Sequence, residues 1–104
     1  MTTFDNREHA FENQYAHDAE MQFRLQARRN KLLGAWAARL MKLTEAEADS
    51  YAKSVVQADF EEAGDEDVVR KLLGDLTSHG IEVGDAEVRQ AMEGCMAEAR
   101  RQLL

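Results

Sequence analysis

The sequence predicts an all-α fold: a small four-helix bundle with a long first helix and a mobile N-terminal segment. The chain has no proline and six glycines, so glycine is its only strong helix punctuation. No stretch alternates apolar and polar residues with period two for long enough to make a strand. Four stretches instead repeat their apolar residues at helical spacing.

The longest runs from Met21 to Leu43. Leu25, Leu32, Leu33, Trp36, Leu40 and Leu43 share one face of it, and Arg24, Arg28, Lys31, Arg39 and Lys42 form a basic stripe alongside. Gly34 inside this helix costs about 1 kcal/mol relative to alanine and permits a neighbouring helix to come close. The helix can also extend backward, since nothing between Asp5 and Leu33 breaks it. A helix over 5–43 would be roughly 58 Å long, more than three shorter partners can cover, so part of it must project.

The TEAE that follows reads as a capping box, with Thr44 as N-cap and Glu47 three residues on. It opens a second helix that turns Tyr51, Ala52, Val55, Val56 and Phe60 inward. In the acidic turn ADFEEAGDED, Gly64 stops that helix and Asp65 caps the next. Val68, Val69, Leu72, Leu73 and Leu76 give the third helix its face. It ends at Gly80, with Ile81 placed for the apolar contact of a glycine C-cap. Gly84 or Asp85 opens a fourth helix bearing Val88, Met92, Cys95, Met96, Ala99 and Leu103.

At 104 residues the chain is one domain with a modest core. A net charge of −7 argues against nucleic acid or an anionic membrane surface as partner. No apolar run is long enough for direct membrane insertion, and the acidic N-terminus lacks the layout of a signal peptide. The single cysteine, Cys95, has no internal disulfide partner, which points to the cytoplasm. The charge is segregated. Residues 1–20 hold five acids against Arg7, residues 21–43 hold six bases and no acid, and residues 44–67 hold nine acids and Lys53.

No catalytic arrangement emerges, so the expectation is a non-enzyme without cofactor or metal. There is no phosphate-cradling glycine loop and no supported Ser/His/Asp set. A calcium loop started at Asp59 would place Ala63 and Arg70 where oxygen ligands are needed, so these acids read as caps and solvated surface. His9 and His17 lie roughly 80° apart around a helix, too far for one metal ion, and His79 sits at a helix C-terminus that favours a cationic ring. Cys95 falls on an apolar face and reads as a packed thiol. The basic stripe admits two readings. It either solvates the bundle beside acidic helix two, or Arg24, Arg28 and Lys31 contact a nucleotide phosphate or an acidic protein.

The opening stretch MTTFDNREHAFENQYAHDAE is different in kind. Phe4, Phe11 and Tyr15 fall within about 40° of one another on a helix, with little else apolar larger than alanine. Asp5 followed by Glu8 is a helix-start signal. So little apolar surface leaves the helix marginal alone, disordered or partly helical when free, as expected of a segment that folds into a partner's groove. The expected division is residues 1–19 as this segment and 20–104 as the bundle.

The run FDNREHAFENQYAHDAEMQFRLQARRNKLLGAWAA, followed by YAKSVVQADFEEAGDEDVVRKLLGDL, closely resembles the zeta-type inhibitory subunit of alphaproteobacterial F-type ATP synthases. The resemblance implies a four-helix regulatory protein, monomeric when free, whose N-terminal segment inserts at a catalytic interface of the ATPase head near the central stalk. It would block rotation in the hydrolytic direction and spare synthesis. It would be cytoplasmic, and peripheral to the inner membrane when bound. Carried over onto FDNREHAFENQYAHD, the resemblance assigns partner binding to Phe4, Asp5, Asn6, Arg7, His9, Phe11, Glu12 and Tyr15. Gly74, Gly84 and Gly94 are less helix-friendly than the resemblance implies and leave the boundaries of helices three and four open.

Overall fold

The computed structural model describes the chain from Thr2 to Leu104 except residues 62 and 63, with side chains described from Asp18 onward. Four helices follow in order: α1 Thr2–Leu40, α2 Glu45–Glu61, α3 Glu66–Ser78 and α4 Asp85–Leu103, with no strand among the described residues. The bundle is organised around α1, which packs chiefly on α2 and α4, while α3 bridges those two at the far side. Its core joins Leu33 and Ala37 of α1 and Met41 just beyond it to Val55, to Val68, Val69, Leu72 and Leu76, and to Val88 and Met92. Trp36, Leu40, Leu43, Tyr51, Leu73, Ile81 and Cys95 pack half-buried around it. Burial raises the Cys95 thiol above its ordinary pKa, which suits a packed group and disfavours thiolate chemistry.

At Gly34 α1 and α2 come very close. A Cβ there would lie 2.6 Å from the Ala52 Cα, so the two backbones meet at a distance only glycine allows. The capping box also forms as expected. The Thr44 amide donates to Glu47 Oε1 at 2.9 Å and the Glu47 amide to Thr44 Oγ1 at 3.3 Å, which holds the Glu47 carboxyl below its usual range. At the end of α3 the Ile81 amide donates to the Leu76 carbonyl and the Gly80 amide to Thr77, with Gly80 at φ 75°. This is a Schellman stop. Gly74 and Gly94 lie inside α3 and α4 on exposed positions, and the helices run through both.

Three expectations are corrected. The first helix ends at Leu40 and not at Leu43, in a second Schellman stop: the Leu43 amide donates to Ala38 and the Lys42 amide to Arg39. Lys42 takes the left-handed position at φ 58° that glycine usually fills, which is why the stop is invisible in the residue types. Lys42→Gly should therefore stabilise the protein by about 0.5–1 kcal/mol, read as a raised midpoint in urea. Second, Asp65 stands at the N-cap of α3 but makes no side-chain cap, because its carboxylate is engaged elsewhere. Third, Phe60 does not turn inward. It is 62% exposed, since at its level the interior is filled by a polar cluster that includes its neighbour Asp59.

Candidate partner-binding surfaces

That cluster is built by α1. Leu25, Arg29, Leu33, Ala37 and Met41 form an i, i+4 row that is buried throughout, so Arg29 stands in an apolar row. Its guanidinium donates to Asp65 Oδ1 at 2.9 Å and lies 3.7 Å from Asp59 Oδ2. Asn30, 1% exposed, donates to Asp59 Oδ2 at 2.8 Å and accepts from Arg29 Nε at 3.1 Å. No buried polar side-chain atom among the described residues lacks a partner, as a buried ion pair requires. The cluster ties α1 to the last turn of α2 and the start of α3. A second tie joins α2 and α3, where the Tyr51 hydroxyl donates to Asp75 at 2.7 Å beneath Lys71. Burial, then the Asp75 hydrogen bond, raises the Tyr51 phenol well above its usual range. Arg89 of α4 reaches Glu66 of α3 at 2.8 Å.

N-terminal to the cluster, the bundle lets go of α1. From Asp18 to Arg24 no residue is buried, and Leu25 is the first buried one among the described residues. Of the residues expected to bind a partner, Phe4, Asp5, Asn6, Arg7, His9, Phe11, Glu12 and Tyr15 lie outside those whose side chains are described. Arg24, Arg28 and Lys31 are described, and the fold does bring them together. They rim a hollow of about 450 Å³ with Lys53 of α2. Its floor is apolar, made by Phe23, Ala27, Val56 and Leu103. Arg28 donates to Gln102 of α4 at 2.9 Å, and Arg24 pairs with Glu20 one turn back.

Phe23 and Phe60 went unread in the sequence as a pair. Their rings meet edge to face with centroids 5.0 Å apart, although Phe23 is 49% and Phe60 62% exposed. Arg29 and Lys53 were likewise missed as functional or structural residues. The i, i+4 row could have revealed Arg29, whereas Lys53 joins the stripe only through the α1–α2 packing.

A family model described as ATPase inhibitor subunit zeta matches residues 1–102. The chain belongs to the ATPase inhibitor subunit zeta family. A solved structure determined by solution NMR is similar as well, at 54% identity and a TM-score of 0.71, covering 80% of this chain and 94% of its own. No curated protein matches the chain. Membership of the zeta family carries an ATP synthase inhibitor role and association with ATP synthase. No helix among the described residues is long and apolar enough to cross a membrane.

Proposed function

We propose that the protein inhibits ATP hydrolysis by inserting residues 1–19 at a catalytic interface of the F-type ATPase head, beside the central stalk, as a one-way stop on rotation. The observation that carries this reading is the mismatch between α1 and its bundle. α1 has 39 residues while α2, α3 and α4 have 17, 13 and 19, and none of the described residues ahead of Leu25, from Asp18 to Arg24, is buried. A helix so much longer than its partners has need of another surface if a stripe of three aromatics near its start is to be buried. Zeta family membership supports ATP synthase as the source of that surface, and the match includes the segment itself. Immobilising the segment on docking would consume part of the gross binding energy, which keeps inhibition reversible. The bundle, residues 20–104, positions the segment, and the protein acts without catalysis or cofactor, as a monomer when free, in the cytoplasm and peripheral to the inner membrane when bound.

The test is hydrolysis by isolated ATPase heads with the full chain and with residues 20–104 alone. The truncated chain should keep its helical signal and lose inhibition entirely; inhibition by it would sink the proposal. Alanine at Phe4, Phe11 or Tyr15 should each weaken inhibition by about 1–3 kcal/mol, about fivefold or more, with bundle stability unchanged.

A second reading is favoured by the gathering of Arg24, Arg28 and Lys31 with Lys53 around one hollow. It makes the bundle a regulatory adaptor that binds a nucleotide phosphate or an unrelated acidic protein. Such binding would survive removal of residues 1–19, which separates the two readings.

A further inference from the structure

We propose that the Phe23–Phe60 edge, with its basic rim, is a second docking surface for the ATP synthase head, taking an acidic amphipathic segment of that head. This deepens the proposed function and rests on its placing residues 1–19 at the head.

Exposed phenylalanines are costly in a small bundle unless something covers them, and here two of them meet edge to face across α1 and α2. The hollow beside Phe23 has an apolar floor and a cationic rim. That combination suits a large apolar side chain flanked by carboxylates better than a small inorganic anion, which would leave the floor wet. Lys31 and Lys53 on the rim have no ion-pair partner among the described residues, in a chain whose net charge is −7. Those lysines are thus open to an acidic partner.

Position narrows the partner. Phe23 lies four residues past Ala19, about 6 Å along the helix axis. A head that grips residues 1–19 therefore has its surface within reach of Phe23. In the sequence, Phe11, Tyr15, Ala19, Phe23 and Ala27 also continue one row in steps of four, so the ridge of the inhibitory segment leads onto this edge. A second copy of the chain is a poorer occupant, since two bodies of charge −7 repel. Phe23 and Phe60 would supply the desolvated centre of the contact, and the rim would steer the encounter.

The experiment uses full-length chains and purified ATPase heads, with association rate, dissociation constant and residual hydrolysis at saturation all measured. Phe60→Ala should raise the dissociation constant about tenfold, mainly through faster dissociation. Lys31→Glu/Lys53→Glu should slow association about tenfold at low ionic strength, with the effect fading in high salt. Residual hydrolysis at saturation should equal that of the parent in both, because the wedge itself is untouched. Binding by both variants identical to the parent's overturns the docking surface and leaves inhibition by residues 1–19 standing. A parent that binds heads through this face without inhibiting them would uphold the surface and sink the wedge. Heads that do not bind the parent at all overturn both. Sedimentation showing that the substitutions dissolve a dimer, or nucleotide titration showing that they abolish nucleotide binding while head binding is intact, would assign the hollow to another occupant and overturn the proposal.

Discussion

Asp59→Ala should cost the protein about 3–5 kcal/mol, a large fraction of what a domain of this size has to lose. Arg29 has a side chain only 5% exposed, and Asp59 is the more buried of its two acidic partners at 14% against 49% for Asp65. Removing Asp59 leaves a guanidinium in an apolar row held from one side only. It also strips the acceptor from the Asn30 amide, so one substitution leaves a buried donor unpaired and a buried cation with only one of its two carboxylates. Asp65→Ala should cost much less, because that carboxylate is half in water and Asp59 remains. Asp59→Asn should fall between, since it can keep the hydrogen bond to Asn30 while losing the charge. Urea unfolding followed by circular dichroism orders the three. A loss below about 1 kcal/mol for Asp59→Ala would show that the cluster does not hold α1 in place. The functional consequence is indirect: the cluster is the buried polar tie nearest to the N-terminal part of α1, so loosening it should blunt positioning of residues 1–19 before it abolishes binding.

Gly34→Ala should destabilise by about 2 kcal/mol, and Gly94→Ala should stabilise by about 0.5–1 kcal/mol, although both glycines sit inside helices. The added methyl at Gly34 would meet Ala52 Cα at 2.6 Å and Ala52 Cβ at 3.2 Å, and a backbone atom cannot swing aside. The helices must part, and the loss of core contact outweighs the gain in helix propensity. At Gly94 nothing lies within 4 Å, so only the propensity term acts. Thermal melts of the two variants give the comparison. A melting temperature raised by Gly34→Ala would mean that α1 and α2 do not touch there.

Much of this bundle was readable before any coordinates. The faces of α3 and α4, the Thr44–Glu47 box and the Gly80–Ile81 stop all depend on residues within one turn of each other, and local spacing expresses them directly. The likeness of Phe4–Asp18 and of RRNKLLG to zeta-type inhibitors was equally a property of contiguous residues, and the family match confirms it. The end of α1 was misread for a local reason of another kind. Its left-handed residue is a lysine, and lysine carries no such signal.

The arrangement around Arg29 could not be read in the same way. Four polar residues from α1, α2 and the α2–α3 turn converge there, and each looks like ordinary surface in its own segment. Sequence alone therefore determined the helical class, the capping-box start of α2, the glycine stop of α3, and the inhibitor family. Only the tertiary structure decided that Asp65 serves Arg29 instead of capping α3, that Phe60 faces water against Phe23, and that Lys53 completes the rim begun by Arg24, Arg28 and Lys31. The reason is physical: helix formation and capping are settled over three to five residues, whereas an ion pair or a hollow exists only once helices some thirty residues apart in sequence have been packed side by side.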